Sequence, residues 1–484
     1  MDNVIKIKPK CYFACPLGVD IPEFTSSIAR GDFSDAIATI REQNPFPGII
    51  GRICPAYCED ACIREQTDEP VAIRQLERFC ADYELQHFGF PQWKLTKDTP
   101  KNKSIAVIGS GPAGLTCSYY LLKKGYDVDI YEKSYRPGGT LSIIIPRFEL
   151  PQEILFGEIQ ILTKLGGKFI PNCTVGKDIQ LTELNRKYDA LFIAIGAGKP
   201  DELHIPGKNL DGVFKTFDFL ESFSRNNLDI KIGGSTKALV FGGNNESLAS
   251  ARTLRRLGAE VHLFLPDEMQ YSDETKIQMA RQENIIVKQS IIPTAVFGEK
   301  NRVFSVRCLK VERSSENGKT KIVPIENSDF DEDCDIAIFS VRRYPDIDSL
   351  GESIKNFNIS RSNTFIVDEN MQTNIYGVFA GGEAVNGVSD PILSMAEGKR
   401  AASAIDKFLA GNITVRDEQK ETPKEFEEIV IERNNIAEVP RNRTKILAPD
   451  QRDSNFREVE ISFDEKIAIA EAERCIFDRF HTEK

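Results

Sequence analysis

Apolar residues recur at three- and four-residue intervals in the first part of the chain, and this spacing predicts helices. The segments that begin at Pro22 and Phe33 both show it, because residues three or four positions apart lie on the same face of a helix. A polar stretch from Lys94 to Ser104 follows, and such a composition marks a boundary. We therefore expect residues 1–100 to form an all-α domain.

Beyond this boundary, short apolar runs alternate with helical patterns, which predicts an α/β architecture with parallel sheets. The boundaries that we expect are 104–230 for the first part of one nucleotide-binding unit, 236–345 for a second, inserted unit, and 346–410 for the remainder of the first. Residues 411–484 are highly charged and end in an amphipathic helix that starts at Asp464. We interpret this tail as an arm that wraps the protein or docks a partner subunit.

The composition excludes several classes of protein. Of the 484 residues, 41% are apolar, and the net charge of −11 includes no basic stretch that could follow a phosphate backbone. The N-terminus lacks the apolar segment of a signal peptide, and no apolar run approaches the roughly 18 residues that a membrane helix needs. We therefore expect a cytoplasmic protein with neither a membrane span nor a nucleic-acid partner.

Five cysteines are concentrated near the N-terminus, in the patterns C-x3-C-P and C-P-x2-C-x3-C: Cys11, Cys15, Cys54, Cys58 and Cys62. Thiolates that converge in this way are typical ligands of an iron–sulfur cluster. A zinc site is one alternative, although zinc sites favour C-x2-C spacing, and core cysteines without a ligand role are another. The other six cysteines are interpreted as buried thiols, and Cys475 as a residue of the terminal helix.

A glycine motif follows the first predicted strand: Gly109, Ser110, Gly111, Pro112, Ala113 and Gly114 form G-x-G-x-x-G before a helical segment. The three glycines permit a tight turn, the approach of a pyrophosphate to the backbone, and close packing of helix on strand. Glu132 ends the next predicted strand, where a carboxylate binds a ribose hydroxyl. Strand, loop, helix and acid together predict a dinucleotide site.

Three further glycine segments lie downstream, Arg136-Pro-Gly-Gly139-Thr-Leu141, Ala194-Ile-Gly196-Ala and Gly377-Val-Phe-Ala-Gly-Gly382-Glu383. With the motifs above, they resemble the two-dinucleotide-binding-domain flavoproteins, specifically the small (β) subunit of glutamate synthase and its relatives. These relatives include the large subunit of ferredoxin:NADP transhydrogenase and the N-terminal half of dihydropyrimidine dehydrogenase. The resemblance covers residues 10–410 and implies an α/β flavoprotein with two Rossmann-like units behind an all-α iron–sulfur domain.

The resemblance implies that FAD binds the first unit, with Gly109–Gly114 at its pyrophosphate and Glu132 at its adenosine ribose. Gly139 and Leu141 are expected beside the isoalloxazine, and Glu383 beside the ribityl chain, where the family usually has Asp. The helix after Asp390 is expected to point its N-terminal dipole at the flavin. The other expected contacts are Lys133, Thr140, Val175, Gly196, Gly382, Pro391 and Ile392.

The second unit departs from the family pattern at its own glycine motif. Gly242, Gly243, Asn244 and Asn245 are the expected dinucleotide contacts, but Asn244 replaces a glycine and Ala249 replaces an Asp. Where NADPH-using relatives have paired arginines, this chain has Leu265, Pro266, Asp267 and Glu268, and acids repel a 2′-phosphate. A site for NADH, a scaffold that has lost nicotinamide binding, and retained use of NADPH are the three alternatives, of which NADH is favoured.

The cysteine pattern is also shorter than in relatives with two clusters. Five cysteines cannot supply two four-cysteine clusters, so we expect one [4Fe–4S] cluster. The resemblance implies Cys15, Cys54 and Cys58 as ligands, while the fourth is Cys62, Cys11 or Glu77.

These features together predict an electron-transferring flavoprotein subunit. NADH or NADPH, or a partner, would reduce FAD, and electrons would leave through the cluster to another redox subunit. No catalytic acid or base is expected, because the cofactors perform the chemistry. The alternative is a non-catalytic relay or scaffold subunit that retains FAD and the cluster but does not bind nicotinamide.

Overall fold

The N-terminal part of the protein is a set of short helices whose apolar residues share one continuous core with the first nucleotide unit. The computed structural model describes residues 9–89, 96–266, 274–316, 319–411 and 437–476. Phe24, Ile28 and Ile40 contribute to the N-terminal core, as the helical spacing predicts. The helices are α1 (Lys10–Ala14), α2 (Ile21–Ala29), α3 (Phe33–Gln43), α4 (Pro47–Ile53), α5 (Tyr57–Asp60) and α6 (Ile73–Phe88), with a 3-10 turn at Ile63–Gln66.

A strand-and-helix alternation begins after the polar boundary. Gly111 caps α7, and Pro112 occupies its first turn, where the absence of an N–H has no cost. The elements are β1 (Ser104–Ile108), α7 (Pro112–Lys123), β2 (Asp127–Tyr131), α8 (Thr140–Ile143), α9 (Gln152–Lys164), β3 (Lys168–Ile170), α10 (Leu181–Lys187), β4 (Ala190–Ile193) and β5 (Lys199–Pro200).

A second parallel sheet has the strand order β6-β14-β7-β8-β9, and β10 to β13 form an antiparallel sheet inserted into it. The elements are β6 (Val213–Lys215), α11 (Thr216–Ser224), β7 (Lys237–Phe241), α12 (Asn245–Arg256), β8 (Glu260–Leu265), α13 (Glu274–Gln282), β9 (Ile286–Gln289), β10 (Ile291–Glu299), β11 (Arg302–Glu316), β12 (Lys319–Pro324), β13 (Phe330–Asp333), β14 (Ile336–Phe339) and β15 (Arg343–Tyr344).

Strand β6 corrects the unit boundary that the sequence placed at residue 230. Val213, Phe214 and Lys215 pair in parallel with β14, so the chain already belongs to the second sheet at residue 213. The short apolar run was ambiguous because its partner strand lies more than 100 residues later, and local pattern does not specify such a pairing.

The chain then returns to the first sheet, whose order is β16-β4-β1-β2-β3 with every pair parallel. The returning elements are a 3-10 segment (Ile347–Asn356), β16 (Val378–Ala380), α14 (Glu383–Asn386) and α15 (Pro391–Leu409). Helix α15 packs against α7 and also contacts α4 of the N-terminal helices. Because of this position, α15 touches both the first nucleotide unit and the cysteine-bearing domain.

The described part of the C-terminal tail packs on the N-terminal helices of its own chain. It comprises β17 (Lys445–Ile446), α16 (Pro449–Arg452), β18 (Glu460–Ile461) and α17 (Glu465–Ala472), and α17 contacts α2 and α6. Arg52 donates to Glu458 at 2.7 Å, with the arginine side chain almost fully buried. Residues 412–436 of the predicted tail lie outside the described residues. Within the described ranges, no helix has both the length and the apolar character that crossing a bilayer requires.

Candidate functional site

A cavity opens at the carboxyl ends of the first sheet, and the N-termini of α7 and α15 both face it. Open parallel sheets bind ligands at this edge. The predicted contacts that line it are Gly109, Ser110, Gly111, Pro112, Ala113, Glu132, Lys133, Gly139, Thr140, Val175, Gly196, Glu383 and Pro391.

Four predicted contacts of the first unit are not among the lining residues. A Cβ on Gly114 would lie 2.0 Å from the Gly109 carbonyl oxygen, so this glycine permits the contact between α7 and β1. Leu141 and Ile392 are core residues, and the Gly382 amide donates to Glu397. These four residues therefore stabilise the structure around the cavity, three by packing and Gly382 by a hydrogen bond.

The sequence did not identify several other lining residues, including Ser389, Ser394, Phe217, Cys173 and Thr174. Ser389 and Ser394 flank the N-terminus of α15, whereas Phe217 comes from α11. A polar residue next to a helix start is the only local signal that could have indicated the two serines. Phe217 carries no such signal, since only the tertiary fold brings α11 to the cavity.

The glycines form a backbone cradle on one side of the cavity. Gly109 has φ of +102° and Gly139 has φ of +53°, a region that favours glycine. A Cβ on Gly139 would lie 2.9 Å from Gly111 Cα, whereas a Cβ on Gly111 would meet no protein atom within 4 Å. The space beside Gly111 therefore belongs to the cavity, as the motif requires for a pyrophosphate.

Glu132 lies at the edge of the cavity and is fixed by the glycine loop. Its Oε2 accepts hydrogen bonds from the Ser110 amide at 3.0 Å and the Ser110 hydroxyl at 2.6 Å. Its Oε1 accepts from the Ser134 amide at 2.7 Å. A carboxylate has about four acceptor positions, so the side chain keeps capacity for a ribose hydroxyl.

Glu383 is held at the opposite wall by two backbone amides. Its Oε2 accepts from the Ala197 amide at 2.9 Å, and its Oε1 accepts from the Ser389 amide at 3.2 Å. The two bonds join the end of β4 to the loop before α15. The extra methylene, compared with the family's usual Asp, lets one carboxylate reach both segments.

Three of the five N-terminal cysteines, Cys15, Cys54 and Cys58, form one group with Glu77, because their ionisable groups interact with one another. The Ala56 amide donates to Cys54 Sγ at 3.3 Å. Burial raises the pKa of the Cys54 thiol to about 12, and that of Glu77 to about 7. Buried thiolates without a cation are therefore disfavoured, and a metal centre would supply the missing charge.

Burial raises the pKa of the Cys15 thiol, and the nearby backbone groups of Val19, Leu17 and Gly18 partly offset this effect. Because burial is the larger effect, the Cys15 thiolate is disfavoured without a cation. Among the described residues, no three His, Cys, Asp or Glu side chains converge closely enough for a single metal ion. Zinc needs sulfurs about 2.3 Å from one centre, whereas a cluster several atoms wide takes ligands that are farther apart. Thiolates are the ligands that iron–sulfur clusters take, so the cysteines present fit such a cluster.

The other two N-terminal cysteines belong to a different group. The ionisable group of Cys11 interacts with those of Cys475 and Cys62. Cys475 follows α17 rather than lying in it, which corrects the interpretation of this cysteine as a helix residue. Local sequence pattern does not indicate this proximity, because more than 400 residues separate Cys475 from Cys62.

Two contacts join the Cys15 group to the cavity. The Tyr57 hydroxyl, next to Cys58, donates to Asp390 at 2.5 Å, and Asp390 caps α15. Farther along α15, Lys399 Nζ donates to the Leu17 carbonyl at 2.8 Å, beside Cys15. At about 1.5 Å per residue, the cavity end of α15 and Lys399 are about 12 Å apart, so one helix spans the distance between the two sites.

The glycine motif of the second unit forms a similar turn after β7. Gly242 has φ of +137°, and the Asn244 side chain caps α12 by accepting from the Ser247 amide at 3.0 Å. Glu246, in the first turn of α12, accepts from Arg343 at 2.7 Å. Asp267 and Glu268, which the sequence placed at the ribose edge, lie outside the described residues.

The fold contains two parallel nucleotide-binding sheets, a glycine-lined cavity and the Cys15 group of thiols. These features define a flavin- and nicotinamide-dependent oxidoreductase with an iron–sulfur domain. Residues 103–404 match the family model described as pyridine nucleotide-disulphide oxidoreductase. Residues 6–88 match the model described as dihydropyrimidine dehydrogenase domain II, 4Fe-4S cluster. The chain belongs to the pyridine nucleotide-disulphide oxidoreductase family, and these domains imply FAD, a [4Fe–4S] cluster and NAD(P)H as cofactors.

Several curated relatives are similar over most of their length. The β subunit of an NADP⁺-dependent formate dehydrogenase from Moorella thermoacetica is 32% identical, over 96% of this chain and 70% of the relative. The small chain of the NADPH glutamate synthase from Mycobacterium tuberculosis is 31% identical, over 84% of this chain and 86% of the relative. The resemblance recognised in the sequence, and its fold class, are thereby confirmed.

Solved structures show the same fold. Mycobacterium tuberculosis FprA in complex with NADPH superimposes with a TM-score of 0.53 at 17% identity, over 65% of this chain and 85% of FprA.

Proposed function

We propose that this chain is the electron-transfer subunit of a multi-subunit oxidoreductase, in which electrons pass between a nicotinamide dinucleotide, FAD, a [4Fe–4S] cluster and a partner subunit. The observation that carries the proposal is α15, which begins at the cavity and, through Lys399, donates a hydrogen bond to the Leu17 carbonyl, two residues after Cys15. When bound, FAD exchanges electrons in pairs or singly and the cluster exchanges them singly, and the protein supplies binding and orientation.

For FAD, we assign the cradle of Gly109, Gly111 and Gly139 to the pyrophosphate side and Glu132 to the adenosine ribose. Glu383 would orient the end of the cofactor near the Ala197 loop, since its carboxylate already joins that loop to Ser389. The N-termini of α7 and α15 add a positive dipole at the cavity. None of these roles requires a side chain that transfers a proton.

For the cluster, we propose Cys15, Cys54 and Cys58 as thiolate ligands and Glu77 as the fourth. Glu77 is supported by its electrostatic interaction with all three thiols and by the burial of its side chain. Asn44 donates to Glu77 Oε1 at 2.7 Å, which leaves its second oxygen for a metal. The proposal chooses Glu77 over Cys11 and Cys62 because those two cysteines lie with Cys475.

For the nicotinamide, we propose NADH, although the relatives named above are NADP⁺- or NADPH-dependent. Arg255 and Arg256 precede the Leu265–Glu268 segment in sequence, but both already bind Glu283. Arg256 forms an ion pair with the buried Glu283 side chain, and Arg255 donates to the Glu283 carbonyl. Both lie in the last turn of α12, about 18 Å along the helix from the glycine turn. Neither can therefore bind a 2′-phosphate at that end of the sheet.

A second candidate function is a relay or scaffold subunit that no longer binds nicotinamide. The observation that favours it is a pair of hydrogen bonds at the start of α12. The Asn244 carboxamide oxygen accepts from both the amide and the hydroxyl of Ser247. An anion would otherwise use this helix N-terminus. We further propose a redox protein as the partner. We also propose the cytoplasm as the location, because free cysteines remain reduced in a reducing compartment.

The cofactor content of the full chain, purified anaerobically, tests the proposal. We expect about one FAD per chain, and loss of a [4Fe–4S] cluster, about four irons, from Cys54→Ser. Cys308→Ala is the matched control, since Cys308 is a buried cysteine of β11 in a separate core. Unchanged iron in Cys54→Ser, or stoichiometric zinc in place of iron, would refute the cluster assignment.

A further inference from the structure

Two short strands join the two nucleotide-binding units to each other. Strand β5 (Lys199–Pro200) follows the first sheet, and β15 (Arg343–Tyr344) follows the last strand of the second sheet before the chain returns. The two strands pair antiparallel, with Arg343 opposite Pro200. Residues at the ends of such connections absorb any change in the relative orientation of two units. Arg343 therefore occupies a position from which it can fix that orientation.

The Arg343 side chain binds both units at once. Its Nε donates to Glu246 Oε1 at 2.7 Å, and Glu246 lies in the first turn of α12, directly after the glycine turn of the second unit. Another nitrogen of the same guanidinium donates to the Ala197 carbonyl, in the first unit. The side chains of Arg343 and Glu246 are only 6% and 10% exposed. The planar, rigid fork of a guanidinium suits such a bridge.

On the side of the first unit, the bridge reaches the wall of the cavity. Ala197 is buried and lines the cavity. Its carbonyl accepts from Arg343, while its amide donates to Glu383 Oε2 at 2.9 Å. One residue thus connects Arg343 to the carboxylate that we place beside FAD.

A second contact leads from the ion pair to the same cavity. Glu246 Oε2 accepts from the hydroxyl of Thr216, a buried residue that begins α11, at 3.3 Å. The next residue, Phe217, lines the cavity, and its ring centroid lies 5.6 Å from the Arg343 guanidinium carbon. The ion pair therefore supports the cavity wall through a side chain as well as through the backbone.

The charge of Glu246 also needs a partner at this place. A helix that begins at a glycine turn attracts the pyrophosphate of a dinucleotide, and an unpaired carboxylate in its first turn would repel that group. Arg343 neutralises the carboxylate. Glu246 does not act as the cap of α12, because Asn244 does so by accepting from the Ser247 amide. Its hydrogen bonds instead go to Arg343 and Thr216.

We propose that Arg343 is a positioning residue, which fixes the glycine turn of the second unit relative to the cavity through Glu246 and Ala197. The inference rests on the proposed function, in which a nicotinamide dinucleotide binds this turn and FAD binds the cavity. A hydride carries two electrons from NADH to the flavin, which leaves NAD⁺ and reduced flavin, and the reacting atoms must lie about 3–3.5 Å apart. A displacement of about 1 Å can slow such a step about 100-fold.

The variants for the test are Arg343→Gln, Arg343→Lys, the double variant Arg343→Gln with Glu246→Gln, and the control Lys237→Gln. The double variant removes both charges, so no buried charge is left unpaired. Lys237 also forms an ion pair in the second unit, with Glu332 at 3.0 Å, but it begins β7, at the end of the strand away from the glycine turn. In the control, Glu332 keeps its hydrogen bond from Lys288.

Reduction of the flavin should be followed by anaerobic stopped flow at several NADH concentrations, with the full FAD-loaded chain. In Arg343→Gln we expect the limiting rate to fall about 10- to 100-fold, while the dissociation constant for NADH stays within about threefold of wild type. The double variant should be as slow as Arg343→Gln. Arg343→Lys should be intermediate, because an ammonium keeps the charge but not the fork. Lys237→Gln should match wild type, and FAD content should be the same in all.

Hydrogen exchange of the FAD-loaded chain, measured by mass spectrometry, gives a readout that needs no dinucleotide. In Arg343→Gln, the amides in the first turn of α12 and those around Ala197 should both exchange faster than in wild type, because the bridge holds both segments. Lys237→Gln should leave both segments unchanged. Unchanged exchange in Arg343→Gln would show that the pair does not couple the two units.

Three kinetic results would also overturn the positioning role. The first is a limiting rate that Arg343→Gln does not lower. The second is weaker NADH binding at an unchanged limiting rate, which would make Arg343 a direct ligand of the dinucleotide. The third is a normal rate in the double variant, which would show that only the unpaired charge of Glu246 matters. If Arg343→Gln lost FAD, Arg343→Lys and the double variant would decide.

Failure of the proposed function would look different. In that case neither NADH nor NADPH would reduce the flavin of the wild type. Faster exchange of both segments in Arg343→Gln would then still support the coupling of the two units, and unchanged exchange would refute it.

Discussion

Replacing Gly111 with Ala should weaken FAD binding while leaving the fold intact. Gly111 has φ of −74°, which any residue adopts, and an added Cβ would meet no protein atom within 4 Å. Loss of the glycine's chain entropy stabilises by about 0.4–1 kcal/mol, while Ala is a poorer helix cap than Gly by a similar amount. The free energy of unfolding of the apoprotein should therefore change by less than about 1 kcal/mol.

The same methyl group would occupy the space that the pyrophosphate approaches. Forcing an extra methyl into a packed contact costs about 1–3 kcal/mol, which corresponds to FAD binding weakened about 5- to 150-fold. Apoprotein should be titrated with FAD by flavin fluorescence, alongside thermal melting of the apoprotein. Gly233→Ala is the matched control, since this glycine also has open space around its Cβ but lies outside the cavity. FAD affinity within twofold of wild type would refute the assignment of the first unit.

Three other substitutions test separate parts of the account. Tyr57→Phe removes the hydrogen bond to Asp390 and should slow cluster reduction severalfold in stopped-flow experiments without loss of FAD; an unchanged rate would exclude this contact from the electron path. Pro266→Arg should reduce the ratio of kcat/KM for NADH to that for NADPH by up to about tenfold, since a guanidinium pairs with phosphate. An unchanged ratio would contradict the assignment of this segment to the 2′-phosphate end of the site. Burial opposes ionisation of Asp406, but hydrogen bonds from two lysines and a tyrosine lower its pKa to about 2. That stability is fully present above the ordinary value of 3.8 and is lost as pH falls through 2, so Asp406→Asn should lower the unfolding free energy by about 1 kcal/mol at pH 7 and by only a small part of that at pH 2. An equal loss at both pH values would contradict the ion pairing.

Much of the first unit was predictable because its chemistry is local in sequence. The glycine motif and Glu132 belong to one strand–helix–strand stretch, and each lies where that stretch predicts it. Glu383 was found because two glycines precede it at the end of a strand. Leu141 and Ile392 are core residues and are not among those that line the cavity, since the sequence pattern does not specify which face of a helix meets a cavity.

Relations across long sequence distances could not be predicted in this way. The division of the cysteines depends on α17 returning to the N-terminal helices, and nothing near Cys475 indicates that contact. The same holds for β6, whose partner strand follows it by more than 100 residues. Leu265 lies in the segment where NADPH-using relatives have paired arginines, but it is 2% exposed. Pro266 is half-buried, so a charge placed there keeps contact with water.

The most direct test of electron transfer from a nicotinamide dinucleotide is anaerobic mixing of the full chain with equal concentrations of NADH or NADPH, followed by flavin absorbance. We predict that NADH bleaches the flavin at least about tenfold faster than NADPH, equivalent to about 1.4 kcal/mol in the transition state. Faster bleaching by NADPH would contradict the proposed cofactor preference. If neither dinucleotide bleached the flavin while a low-potential reductant did, the central claim would be wrong, and the chain would be a relay subunit without a nicotinamide site.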